Sequence, residues 1–237
     1  MMTLIPTSMR TLAFAAAAAL LLAAPTAHAQ TTIGAPLTTS VGPLTRGTSG
    51  FQSFGQSFTV PSLTTRLSSV SLSFSNFFNG GALRFDAYLY AFDAASRRVT
   101  GNALWNFLNI AGSSNDFAFD TRTFATGNLS LSAGATYLFL VTTSNQGGAV
   151  PMDAANLIGA SESDAYAGGS FWIASNGADT GALATTGAFS AVDGIADADF
   201  SAVFAASQQI VPEPATLVLT GAGLFGVAFL ARRRRAA

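Results

Sequence analysis

The sequence predicts an all-β fold, an antiparallel two-sheet β-sandwich of jelly-roll-like kind, between an N-terminal signal peptide and a single C-terminal transmembrane helix. Three observations carry this. Short segments in the middle of the chain alternate apolar and polar residues with period two, the pattern of strands buried on one face. Glycine-rich turns such as Gly147-Gly148 and Gly168-Gly169 separate many of them. Apart from the two ends, no stretch shows a helical apolar stripe longer than about three turns. The expected organisation is a signal peptide at 1–29, a flexible lead-in at 30–50, a β-sandwich body at 51–208 and a membrane-directed segment at 211–237.

The first element has the three parts of a secretory leader in order. Arg10 closes a positively charged start, Leu12 to Ala24 form an uninterrupted apolar stretch, and Pro25 ends it. Ala27-His28-Ala29 is the small-x-small pattern that signal peptidase reads, so Gln30 is the expected new N-terminus. The apolar stretch is shorter than the roughly 17–25 residues a spanning helix needs, and it ends in a cleavage pattern instead of a charged stop.

The segment after it is rich in Thr, Gly, Ser and Pro with no sustained period, which suggests a flexible lead-in or an irregular first strand. Val70, Leu72 and Phe74 then alternate with Ser69, Ser71, Ser73 and Ser75. After a turn signal at Asn79-Gly80-Gly81, Leu83, Phe85, Ala87 and Leu89 alternate with Arg84, Asp86, Tyr88 and Tyr90, and the two segments are expected to pair as a hairpin. Further strands are expected at Gly55–Val60, Leu104–Ile110, Asp116–Phe119, Tyr137–Thr143, Phe171–Ala174 and Asp199–Ala205. Twenty phenylalanines supply rings that fill a core without needing hydrogen-bond partners.

At the C-terminus Val211-Pro212-Glu213-Pro214 precedes the apolar run Ala215 to Ala231 and the cluster Arg232, Arg233, Arg234 and Arg235. At 1.5 Å per residue the run is about 25 Å long, enough for a thin hydrocarbon core. Four arginines act as a stop and hold this end in the cytoplasm, which places the body on the other side. Two prolines hold the preceding tripeptide extended and deny it backbone donors, so it joins neither a strand nor the helix.

These residues resemble the PEP-CTERM sorting signal of Gram-negative bacteria: Pro212-Glu213-Pro214, one glycine-bearing apolar span and a terminal arginine cluster, paired with an N-terminal leader. The resemblance covers about the last 26 residues. It implies recognition by exosortase, a membrane-embedded cysteine protease acting near the Pro-Glu-Pro, after signal peptidase and the secretion machinery have delivered the chain. It further implies a transient anchor in the inner membrane with the body in the periplasm, then release to the cell surface or extracellular matrix, where such proteins are linked to exopolysaccharide and biofilm. A second likeness concerns architecture alone. Phe54-Gly55-Gln56-Ser57-Phe58-Thr59-Val60-Pro61, Tyr88-Leu89-Tyr90 and Leu129-Ser130-Leu131-Ser132-Ala133-Gly134-Ala135-Thr136-Tyr137 are similar to strand edges of exported, carbohydrate-binding-type jelly rolls.

Composition excludes much chemistry. There is no Cys and no Lys, every basic residue is Arg, and the one histidine, His28, lies in the leader. A thiolate nucleophile, a Ser-His-Asp triad, an imidazole-held metal, a disulfide and a lysine Schiff base are all unavailable to the body. Its six arginines stand against ten aspartates and Glu162, an acidic balance that repels phosphate backbones and makes nucleic acid an unsuitable partner.

Two constellations remain. Asp193, Asp197 and Asp199 fall in one loop, where carboxylates two and four residues apart offer oxygens to calcium, although the order is not that of an EF-hand. The competing reading is a solvated loop that blunts an edge strand. Tyr88, Tyr90 and Trp172, with Trp105, Tyr166 and Phe171 as neighbours in kind, offer a platform for sugar rings, against which stands simple burial. No pair of acids sits on flanking strands in an apolar setting, as a glycosidase requires, so no enzyme activity and no obligate cofactor are expected. The expected role is that of an exported structural or adhesive protein of the envelope or exopolysaccharide matrix, with a carbohydrate-binding module, calcium-dependent or not, as the alternative.

Overall fold

The computed structural model describes residues 30–45, 51–76, 83–115, 117–146, 156–185, 187–205 and 223–224. The chain divides into two units, Met1–Ala206 and Ser207–Ala237. The first is all-β apart from one short 3-10 helix among the described residues. Its strands are β1 (Gln30–Ala35), β2 (Thr39–Leu44), β3 (Ser53–Thr59), β4 (Arg66–Asn76), β5 (Arg84–Asp93), β6 (Arg98–Ala111), β7 (Asp120–Ser130), β8 (Thr136–Thr142), β9 (Asn156–Ser161), β10 (Phe171–Ala174), β11 (Asp197–Ala198) and β12 (Phe200–Ala205).

They form a seven-stranded and a five-stranded antiparallel sheet. Within these, the order β1-β12-β4-β7 faces the order β3-β8-β5-β6, the alternation between sheets that defines a jelly roll. The remaining strands extend the two sheets at one flank. Phenylalanines from opposing sheets meet between the layers: Phe74 stacks on Phe85 at 5.0 Å, Phe124 lies 5.3 Å from Phe139, and Phe58 meets Phe204 edge-on at 5.8 Å. Aromatic pairs at these spacings and tilts add to the area they bury.

Three expectations are corrected. The segments around Val70–Phe74 and Phe85–Leu89 are not hairpin partners, because β4 belongs to the larger sheet and β5 to the smaller. Alternation reveals that one face of each is buried, but two such faces can meet across a core as well as side by side, and here they do so through Phe74 and Phe85. The expected turn at 79–81 lies outside the described residues. The lead-in is structured as β1 and β2: Thr31, Thr32 and Ile33 pair with β12, and Gly34 is needed because a Cβ there would stand 2.2 Å from the Phe200 carbonyl oxygen. Strand β7 starts at Asp120, beyond the expected Asp116–Phe119, and Phe117 is exposed.

Entry and exit lie together. Gln30 pairs with Ala205, so the first strand begins beside the place where the last one ends. In the second unit the described Gly223 and Leu224 are helical. Among the described residues no helix is long and apolar enough to cross a membrane, and the expected span 215–231 otherwise lies outside them.

Candidate functional site

Strand β5 turns Phe85, Ala87 and Leu89 into the main core, so Arg84, Asp86, Tyr88, Tyr90 and Phe92 form a stripe on the outer face of the five-stranded sheet. The lower part of this stripe is covered. Residues 175–185 and 187–189 fold back over it, with a 3-10 turn, Thr180–Ala184, started by Asp179, whose carboxylate accepts the Gly181 N–H at 2.8 Å. Leu183 and Phe189 then close a second apolar cluster with Phe92, Val99, Leu138 and Trp172. Phe92 lies 5.3 Å from Trp172 and meets Phe189 at 88°. The Phe189 segment is pinned by Gly187 N–H to Ser96 O and Phe189 N–H to Arg97 O.

The structure therefore brings Tyr88, Tyr90 and Trp172 onto one face without making them an open platform. Trp172 is 8% exposed and donates its indole N–H to Ser57 Oγ at 3.0 Å, while Tyr88 is 9% exposed. Tyr90, tilted against Tyr88 at 5.8 Å, is half-buried. Period-two alternation assigns Tyr88 and Tyr90 to the outer side of β5, but it does not reveal that a segment almost a hundred residues later packs over that face.

The upper end of the stripe is polar. Asp86, buried, accepts from Asn109 N (2.7 Å), Gln146 Nε2 (2.6 Å), Asn145 Nδ2 (3.3 Å) and the Tyr88 hydroxyl (3.3 Å). Asn145 Nδ2 also donates to the Tyr88 oxygen at 2.7 Å. Burial first, and the Asp86 carboxylate second, push the Tyr88 hydroxyl up to about 12. Four donors fill the acceptor sites of one carboxylate, so Asp86 orients its neighbours and is not free to act as a base. Asn109 reaches it from an irregularity in β6 where its φ is 58°, and Arg84 holds this residue through Asn109 O and Oδ1 at 3.0 and 3.1 Å. Exposed Leu104, Phe107 and Leu108 lie on the same strand β6, with Trp105 stacked on Phe107.

The three loop aspartates do not converge. Asp193 is exposed, Asp199 half-buried and Asp197 fully buried. Asp197 accepts Gln56 Nε2 at 2.9 Å and Tyr166 N–H at 3.1 Å, and Gln56 Oε1 in turn accepts Ala198 N–H at 2.7 Å. Gln56 sits on the inner face of β3 between Phe54 and Phe58, so its amide ties one sheet to the other. Burial raises the Asp197 carboxyl above its ordinary value, against the pull of the Tyr166 and Gln56 donors. Among the described residues no three acidic side chains are grouped to hold a metal. Asp197 has a structural role inside the sandwich, where its carboxylate joins Gln56 of one sheet to the Tyr166 backbone.

Sequence reasoning missed Gln56, Asn109, Asn145 and Gln146. Gln56 had a signal, an amide at a core-face position of an otherwise alternating strand. The others had none, because only the fold brings β6 and the segment after β8 to Asp86. Ala27, Ala29, Pro212, Glu213, Pro214 and Arg232 to Arg235 lie outside the described residues.

Residues 211–235 match the PEP-CTERM protein-sorting motif. No curated protein matches the chain. Among solved structures it is similar to the cysteine protease and lectin-like domains of Cwp84, a surface layer associated protein of Clostridium difficile, at 13% identity and a TM-score of 0.42, over 66% of this chain and 32% of that one. A second structure, the clostridial cysteine protease Cwp84 after propeptide cleavage, matches at 13% identity and a TM-score of 0.45, over 75% of this chain and 40% of that one. A structure of infectious bursal disease virus, Gx strain, matches at 14% identity and a TM-score of 0.28, over 77% and 37%. The chain spans 32% to 40% of the lengths of these three.

Proposed function

We propose that this protein is an exosortase substrate: an exported jelly-roll body, delivered by a cleaved leader and released from a transient inner-membrane anchor to serve a structural or adhesive role in the envelope or exopolysaccharide matrix. The sorting motif at 211–235 carries this reading. The architecture is compatible with processing at both ends. The described strands, from Gln30 in β1 to Ala205 in β12, lie between the expected leader cut after Ala29 and the motif at 211–235. Cuts after Ala29 and near Pro212-Glu213-Pro214 would remove no residue of any described strand.

The body acts in this reading by its surface and not by turnover. Among the described residues the two buried carboxylates, Asp86 and Asp197, are engaged by N–H and O–H donors, so neither is held ready as an acid or base. The test of sorting is to change Pro212, Glu213 and Pro214 together to alanine and follow the protein in native-host fractions. The wild type should reach the surface or medium while the variant stays in the membrane fraction. Identical distributions would remove the sorting claim.

A second reading, a glycan-binding module, is favoured by one observation: the side-chain amides of Asn145 and Gln146 lie on buried Asp86, and the Asn145 amide also reaches Tyr88, whose ring is 5.8 Å from half-buried Tyr90. Carboxamides beside an aromatic ring suit a neutral polyhydroxylated ligand. Matrix polysaccharide added to the purified body should then raise its melting temperature, and an Asn145→Ala, Gln146→Ala variant should lose that increase. No shift in the wild type would leave the structural role standing alone.

A further inference from the structure

We infer that Gln30 is converted to pyroglutamate once the leader is removed, so that the processed body contains no primary amine at all. This rests on the proposed cut after Ala29. The sequence has no Lys, so the α-amino group of Gln30 would be the one primary amine left in the body. That amine belongs to a residue type able to consume it. Gln30 is exposed at the first position of β1, an edge strand of the larger sheet that pairs with β12, so its carboxamide is in solvent next to the new amine.

The reaction balances without a co-reactant. The α-nitrogen attacks the side-chain carbon Cδ, a C–N bond forms to close a five-membered lactam, the bond from Cδ to the amide nitrogen breaks, and that nitrogen leaves as ammonia with the proton the amine gives up. The ring keeps one N–H and one carbonyl at the head of β1 and removes a positive charge that would titrate near pH 7.7–8.0. With Cys absent and the one His upstream of the cut, cyclisation eliminates the last amine nucleophile from a protein that contains no thiol and no imidazole. Such a body has no amine on which a reducing sugar or aldehyde could form a Schiff base, and its blocked N-terminus is closed to ordinary aminopeptidases.

The experiment uses protein recovered from the native host, treated with an amine-reactive succinimidyl ester and read by intact mass and by the mass of the N-terminal peptide. The expected wild-type result is a chain beginning at residue 30, lighter by one ammonia and carrying no label. A Gln30→Ala variant should take one label per chain. A wild-type chain that begins at Gln30 and takes one label overturns cyclisation while leaving the leader cut intact. A chain that begins elsewhere overturns the cut and the inference with it. An unlabelled Gln30→Ala variant also overturns the inference, because something other than the glutamine would then be blocking the amine.

Discussion

A carboxylate held inside a sandwich without a cation needs N–H donors around it, and Asp197 and Asp86 show two ways of supplying them. At Asp197 the Gln56 amide and the Tyr166 backbone do so, and replacing the carboxylate with an amide turns one accepting oxygen into a donor that faces them. Asp197→Asn should therefore lower stability at neutral pH by about 1–3 kcal/mol, read from denaturant midpoints. Because burial raises this carboxyl, the folded state holds its proton more tightly than the unfolded one. The proton-linked part of its stability is complete below the unfolded carboxyl value and is lost as pH rises through the raised folded value, which leaves the hydrogen-bond contribution at neutral pH, so the gap between wild type and variant should widen on acidification through that window. At Tyr88 the hydroxyl is raised from 10.0 to about 12. Its contribution is complete below pH 10 and disappears as pH rises through about 12, so Tyr88→Phe should have a shallower alkaline fall in melting temperature than the wild type.

At the scale of elements, close approaches decide where strands lie. A Cβ on Gly169 would stand 1.8 Å from the Ser57 carbonyl oxygen, at the point where β10 docks on β3 through Ser57 N–H to Ser170 O. Gly169→Ala should cost on the order of 1–3 kcal/mol in the unfolding midpoint, as the backbone moves away, and an unchanged midpoint would contradict this docking. Phe74→Ala, which removes one ring of the pair across the sheets, should cost about 3–5 kcal/mol. The strands β3, β5, β8, β10 and β12 were legible in sequence because each alternates or runs apolar between turn residues. Strand β2, with Gly42 and Pro43, and β9, with Asn156 at its head and Gly159 within, lack that signature; β2 is held by pairing with β9, and β9 by β2, β4 and β11. Sheet assignment was not legible for β4 and β5, since the same alternation serves partners in one sheet and partners across the core. The candidate site was half legible: the rings on β5 could be placed on its outer face, but their cover and the Asn and Gln side chains around Asp86 come from distant segments.

For the whole molecule the central fact is that the described strands of the sandwich run from Gln30 to Ala205, with these two residues paired, and that the sorting motif at 211–235 lies beyond them. In the proposed reading, processing at both ends removes no described strand, and a body without thiol, imidazole or lysine is held by the packing and hydrogen bonds of its sandwich, which a core of this size can supply. The most direct test is the intact mass of the wild-type protein isolated separately from the native host's envelope and culture medium. The account predicts a species that begins at residue 30 and ends near Pro212-Glu213-Pro214, without the apolar run and the four arginines. A species that still carries Arg232 to Arg235 in both fractions would contradict it and make the chain an ordinary membrane-retained protein.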